Sequence, residues 1–217
     1  MREISREQIL DRIKSENPWW RSPETVHPTY DRFAPRAYLK PFYALLTTSD
    51  VRRALVLLGP RRVGKTVLIH YAIHRLIGDD EIPPTRIAYF SIDHPLFNDL
   101  GLEQMLEAFF ELTDVASEEI PAYVFFDEIQ YLPDWEVHLK SLVDRYPALK
   151  IVASGSAAAA LRMKSRESGA GRFTDFLLPP LTFYEYLHLL ERSHLVEGQD
   201  DISADTPQGI AKLNEEF

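Results

Sequence analysis

Ala54-Leu55-Val56-Leu57-Leu58-Gly59-Pro60-Arg61-Arg62-Val63-Gly64-Lys65-Thr66-Val67 joins five apolar residues to a loop of the form G-x-x-x-x-G-K-[ST], and then to the apolar-periodic run VLIHYAIHRLI at 67–77. A loop of this form that follows a buried strand and opens an amphipathic helix reads as a phosphate-binding loop. Successive backbone N–H groups curl around phosphate oxygens, and the helix N-terminus adds the positive end of its dipole. Gly59 and Gly64 permit turns that a Cβ would obstruct. Lys65 reaches the β- and γ-phosphates, and the Thr66 hydroxyl ligates Mg²⁺. Gly59, Pro60, Arg61, Arg62, Val63, Gly64, Lys65, Thr66 and Val67 are therefore the expected nucleotide-binding residues.

Downstream of the loop, short apolar runs alternate with helical patterns. RIAYFSI (86–92), AYVFF (122–126), KIVASG (150–155) and RFTDFLL (172–178) read as strands. LEQMLEAFFEL (102–112), WEVHLKSLVDRY (135–146), AAAALRMK (157–164) and LTFYEYLHLLER (181–192) read as helices, the last capped by Thr182 with Glu185 three residues on. This alternation predicts an α/β fold, a parallel sheet covered by helices on both faces.

Upstream, residues 4–16 form a helical pattern with Ser5 as cap, ending before Asn17-Pro18. NPWWRSPETVHPTYDRFAPR (17–36) has four prolines and no periodicity and reads as an extended arm. Trp19 and Trp20 pin this arm to the domain body by burial or, alternatively, dock a partner. AYLKPFYALLTT (37–48) is helical, interrupted or started at Pro41.

Two more places carry chemistry. Tyr123-Val124-Phe125-Phe126-Asp127-Glu128 is a buried strand ending in two carboxylates, 62 residues beyond Lys65. Asp127 is placed to hold Mg²⁺, and Glu128 to orient and polarise the water that attacks the γ-phosphate. The strand Ile151-Val152-Ala153-Ser154-Gly155-Ser156 ends in small hydroxyl residues. Ser154 and Ser156 are both candidates to lie between γ-phosphate and attacking water. Arg172, after Gly169-Ala170-Gly171, is a candidate to reach the γ-phosphate held by a neighbouring subunit, with Arg166 a weaker competitor.

Composition agrees with one soluble globular domain, or one such domain plus a small appendage. The chain has 217 residues, 45% hydrophobic and 26% charged, enough to bury a core. No run is long enough to span a membrane, and MREISREQ does not read as a signal peptide. Zero cysteines exclude disulfides and thiol catalysis and point to a cytoplasmic location. Residues 1–53 carry ten Lys/Arg against seven Asp/Glu, and the remainder fourteen against twenty-six, for a net charge of −9. That balance does not support broad nucleic-acid binding.

GPRRVGKT, then YVFFDEIQYLPDWEVHLKSLVDRYP, then KIVASGSAAAALRMKSRESGAGRFTDFLLPPLTFYEYL, resembles the prokaryotic AAA-family ATP-binding proteins, over about residues 17–192. The resemblance implies a three-layer P-loop NTPase fold with a central parallel sheet in the order 5-1-4-3-2. It carries Gly59 to Thr66, Asp127, Glu128 and Arg172 onto the nucleotide-site roles, with ATP or ADP and Mg²⁺ as ligands. In that family a further C-terminal domain usually follows, and LNEEF at 213–217 looks like its start. The expected organisation is an N-terminal helix and arm at 1–53, an ATPase domain at 54–192 and an acidic tail at 193–217. The expected function is ATP hydrolysis coupled to a partner domain, a partner protein or a homo-oligomer; the alternative is a slow-turnover ATP-dependent switch. The carboxylate pair and hydroxyl strand end suit water as nucleophile, which disfavours a nucleotide kinase.

Overall fold

Strand β1 (Ala54–Leu58) lies inside the sheet with all five residues buried, which is why its sequence is uniformly apolar rather than alternating. The computed structural model describes residues 5–23, 35–48, 52–97, 100–113, 115, 121–156, 171–190 and 192. They fall into a unit Met1–Leu178 and a second unit Pro179–Phe217. In the first unit, β1 is joined by β2 (Ile87–Ser91), β3 (Ala122–Asp127), β4 (Leu149–Gly155) and β5 (Phe173–Leu177). All pair in parallel, in the order β2-β3-β4-β1-β5, which is the expected 5-1-4-3-2 read from the other edge.

Side-chain alternation along the strands divides the core in two. Ala54, Val56 and Leu58 face one cluster, filled by residues of α4 (Leu102–Thr113) and α5 (Trp135–Arg145). Leu55 and Leu57 face the other, filled from α2 (Leu39–Thr47) and α3 (Lys65–Gly78). Helices thus cover both faces, giving three layers. Pro41 sits in the first turn of α2, where a missing N–H breaks no helical bond.

The N-terminal segment crosses the outer edge of β2. Helix α1 (Arg6–Glu16) opens with a capping box, Ser5 with Gln8, and sends Ile13 into the first cluster. Trp19 is fully buried in the second. Pro18–Trp20, which carries Trp19, is a 3-10 turn, not extended chain, because proline's fixed φ suits its first position and Arg21 N–H closes it on Pro18 O at 3.0 Å. Side chains from this turn and from the two residues before it take up the strand's outer backbone groups. Trp19 and Trp20 Nε1 both donate to Ile87 O, at 3.1 and 2.7 Å. Asn17 Nδ2 donates to Tyr89 O at 3.0 Å while its Oδ1 accepts Tyr89 N–H at 2.7 Å. Glu16 Oε2 accepts Ser91 N–H at 3.2 Å.

The second unit contributes α6 (Phe183–Leu189), capped by Thr182 and Glu185 in a reciprocal pair. The expected helix at 157–164, Arg166, residues 24–34 of the arm and the tail at 193–217 lie outside the described residues.

Candidate nucleotide and metal site

The carboxyl ends of β1, β3 and β4 meet beside the start of α3, and one carboxylate collects what they bring. Thr66, on the first turn of α3, donates its hydroxyl to Asp127 Oδ2 at 2.6 Å. Tyr89 OH donates to the same oxygen at 2.9 Å. Asp127 Oδ1 accepts the Ser154 hydroxyl and, at 3.1 Å, the backbone N–H of Glu128. Asp127 is 1% exposed, and four donors are what keep a buried carboxylate tolerable. Strand periodicity explains the convergence. Tyr89, Asp127 and Ser154 share parity with Ile87, Phe125 and Val152, which face α3.

The loop that precedes α3 has two left-handed residues, Arg62 (φ 65°) and Gly64 (φ 92°). Gly64 therefore answers the expectation of a turn that a Cβ would strain. Gly59 is required for another reason: a Cβ there would stand 2.3 Å from Leu178 O, just past β5. Lys65 is buried, and its Nζ donates to Gly59 O at 3.1 Å and Pro60 O at 2.9 Å. Burial lowers its pKa, against the opposing pull of Glu128 and then Asp127. A desolvated ammonium held only by carbonyls is primed to meet phosphate oxygens. Pro60, Arg61 and Arg62 lie on the exposed side of the loop, where Arg61 Nη2 donates to Tyr131 OH at 3.4 Å. Val63 packs on the α3-side cluster, and Val67 follows Thr66 in the first turn of α3.

Glu128 adopts a left-handed backbone (φ 56°), a conformation that costs a non-glycine residue about 1 kcal/mol or more and clusters at functional sites. Its carboxylate accepts the Gln130 side-chain amide, and Gln130 Oε1 in turn accepts the Ser156 backbone N–H at 3.0 Å. Arg172 lies elsewhere. Its carbonyl accepts Ala54 N–H, so it stands at the amino end of β1, opposite the loop, with its side chain paired to Asp144 at 2.7 Å. That hydrogen bond, then the Asp144 charge, raises its pKa.

The donor set fits Mg²⁺. Thr66 gives its one proton to Asp127 and keeps lone pairs for a cation. Among the described residues no cluster of three or more His, Cys, Asp or Glu forms a dedicated metal cage. One carboxylate and one hydroxyl suit an ion that retains waters and binds substrate phosphates.

Sequence reasoning missed three residues. Tyr89 and Gln130 act on the carboxylates through pairings that only strand register and the Ile129–Tyr131 turn create. Arg36, 27 residues upstream, donates Nη1 to Val63 O at 3.0 Å and lies along Gly64. No local signal marked any of them.

A parallel sheet in this order, with a lysine loop between β1 and α3, defines a P-loop NTPase module. The AAA domain family matches residues 51–187, and the chain belongs to that family. The uncharacterized protein MJ1637 of Methanocaldococcus jannaschii is 36% identical over 145 residues. That stretch is 65% of this chain but only 29% of the relative's length. Among solved structures, S. cerevisiae Hsp104 in its extended casein complex superposes with a TM-score of 0.54 at 16% identity, over 83% of this chain and 33% of that one. The S. cerevisiae Hsp104–ADP complex gives 0.50 at 20% identity, over 73% and 24%. At such identities the likeness is one of fold. No helix among the described residues is long and apolar enough to cross a membrane.

Proposed function

We propose that this chain binds ATP with Mg²⁺ and hydrolyses it, and that its nucleotide state acts on a partner domain, protein or second copy. The observation that carries the reading is the meeting of Thr66 and Ser154 on Asp127, beside a buried Lys65 that only loop carbonyls hold. In this reading residues 59–67 cradle the phosphates, and Thr66 and Asp127 hold the cation. When bound, Mg²⁺ neutralises charge on the transferred phosphate. Lys65 leaves the Gly59 and Pro60 carbonyls for the β- and γ-phosphates, while Glu128 orients and polarises the attacking water. Ser154 spends its proton on Asp127, so its part is to hold that carboxylate, and Ser156 is the hydroxyl left for the γ-phosphate side.

Arg172 is too far down its own sheet to serve its own loop, so its proposed role is to reach a neighbour's nucleotide. The boundaries 1–53, 54–192 and 193–217, a cytoplasmic location and any further domain belong to the same proposal.

The slow-switch alternative draws on one contact, the Gln130 amide on Glu128, which occupies the carboxylate that must face water. Single-turnover hydrolysis with Mg²⁺ tests both readings. The wild type is expected to cleave ATP, and Glu128→Gln to bind it intact with a rate about 10²–10⁴-fold lower. A wild type that binds but does not cleave favours the switch. A Glu128→Gln variant at the wild-type rate removes Glu128 from the chemistry.

A further inference from the structure

Asp127 is gripped by β2 at two points. Ile92 N–H, just beyond the strand, donates to Asp127 O at 3.0 Å, and Tyr89 OH donates to Oδ2 at 2.9 Å. Tyr89 is itself closely held. Its ring is buried and lies 4.8 Å, centroid to centroid, from that of His70 on α3. Its peptide N–H and C=O are both taken by the one Asn17 amide, as a neighbouring strand would take them. Asn17 is fully buried, and its Nδ2 also donates to Ile13 O at 2.8 Å, tying the grip to α1.

We infer that Tyr89 is a positioning residue for Asp127, set in place by the Asn17 clamp, so that the Glu16–Trp20 segment tunes how tightly the nucleotide site holds its cation. This rests on the proposed Mg²⁺ site. Tyr89 has no other proton to give, and its gift fixes Oδ2 without drawing on Thr66. Removing it leaves Oδ2 with Thr66 as its one donor, the hydroxyl that must also face the cation, while Ser154 and the Glu128 N–H still hold Oδ1. The carboxylate keeps three of its four donors but is held less closely at Oδ2, and the preorganisation of the pair is weakened. A slackened Asn17 grip has the same effect at one remove, by letting β2 shift along β3.

The test is ADP binding by calorimetry in the 217-residue chain, with and without Mg²⁺, for wild type, Tyr89→Phe and Asn17→Ala. Tyr89→Phe is expected to bind metal-free ADP within twofold of wild type, and to need about tenfold more Mg²⁺ for the half-maximal gain in affinity, the usual cost of losing an outer-shell partner. Asn17→Ala should shift the same way by less. Equal Mg²⁺ requirement in wild type and Tyr89→Phe overturns the inference, as does an equal loss of affinity with and without metal, which marks a purely structural tyrosine. Should either variant fail to fold, hydrogen exchange of the wild type decides: the Tyr89 amide should exchange more slowly with Mg·ADP than with ADP alone, and equal rates overturn the inference. A wild type whose ADP affinity ignores Mg²⁺ removes the metal site itself, and this inference with it.

Discussion

The two edges of the sheet are finished differently. At β2 the outer backbone groups of Ile87, Tyr89 and Ser91 are taken up by side chains of Glu16, Asn17, Trp19 and Trp20. At β5 the residues are partly exposed, and Leu177 stands 67% exposed. Unpaired sheet edges invite pairing with other chains. A short segment of four hydrogen-bonding side chains closes one edge from within, and does so on β2, the strand whose Tyr89 donates to Asp127. The other edge carries Arg172, the residue proposed to act on a neighbour. One edge is closed by side chains that support the site, and the other presents partly exposed residues.

If that contrast is right, truncating the two edges has unequal cost. Trp19→Ala empties a fully buried indole site and breaks its bond to Ile87 O, with an expected loss of about 3–5 kcal/mol by denaturant unfolding. Leu177→Ala should change stability by no more than about 0.5 kcal/mol. Similar losses would break the comparison.

Glu16 sharpens it further. Burial pushes its carboxyl up to about 7, partly offset by Arg12, which donates from Nε and Nη2, and by the Ser91 amide. Between the ordinary carboxylate range and about pH 7, the folded chain keeps a proton that the unfolded chain has lost. Stability therefore falls as pH rises through that window and levels off above it. At about 1.4 kcal/mol per unit, the drop is roughly 3 kcal/mol. Melting curves from about pH 5 to 8 should show it, and Glu16→Gln should flatten it. A wild type that gains stability across this window would mean that the ion pair with Arg12 outweighs burial.

The smallest effect on stability belongs to Arg172. Its pair with Asp144 is exposed, so Arg172→Ala should leave the melting temperature unchanged. Hydrolysis, by contrast, should be lost, and should return when Arg172→Ala chains are mixed with Lys65→Ala chains. No recovery where the chains demonstrably associate would count against an arginine acting between subunits.

How far the sequence reached follows the same division. Strand β1, the loop and α3 were legible because a buried strand, two glycines and a lysine leave few other arrangements. The order of strands came from resemblance, since alternation alone gives parallel strands but not their neighbours. Asp127 and Thr66 were legible as a pair because both sit at ends of elements that the loop brings together. Tyr89 was not, because a tyrosine in RIAYFSI reads as core until register sets it level with Phe125 and within reach of Asp127. The clamp at Glu16–Trp20 was equally hidden, since an amide that imitates a strand leaves no periodic trace. Proline count suggested an extended arm, whereas the pyrrolidine of Pro18 starts a 3-10 turn that aims two indoles at one carbonyl.

Calorimetric titration with Mg·ATP, comparing the wild type with Lys65→Ala, tests most directly whether residues 59–67 form a nucleotide site. Lys65 is the buried cation of the loop, and charge-assisted hydrogen bonds contribute about 1.5–3 kcal/mol each. Loss of two such bonds to phosphate predicts affinity lower by about 10²-fold or more in the variant, with the fold intact. Near-equal affinity for Mg·ATP in the two proteins would contradict the account.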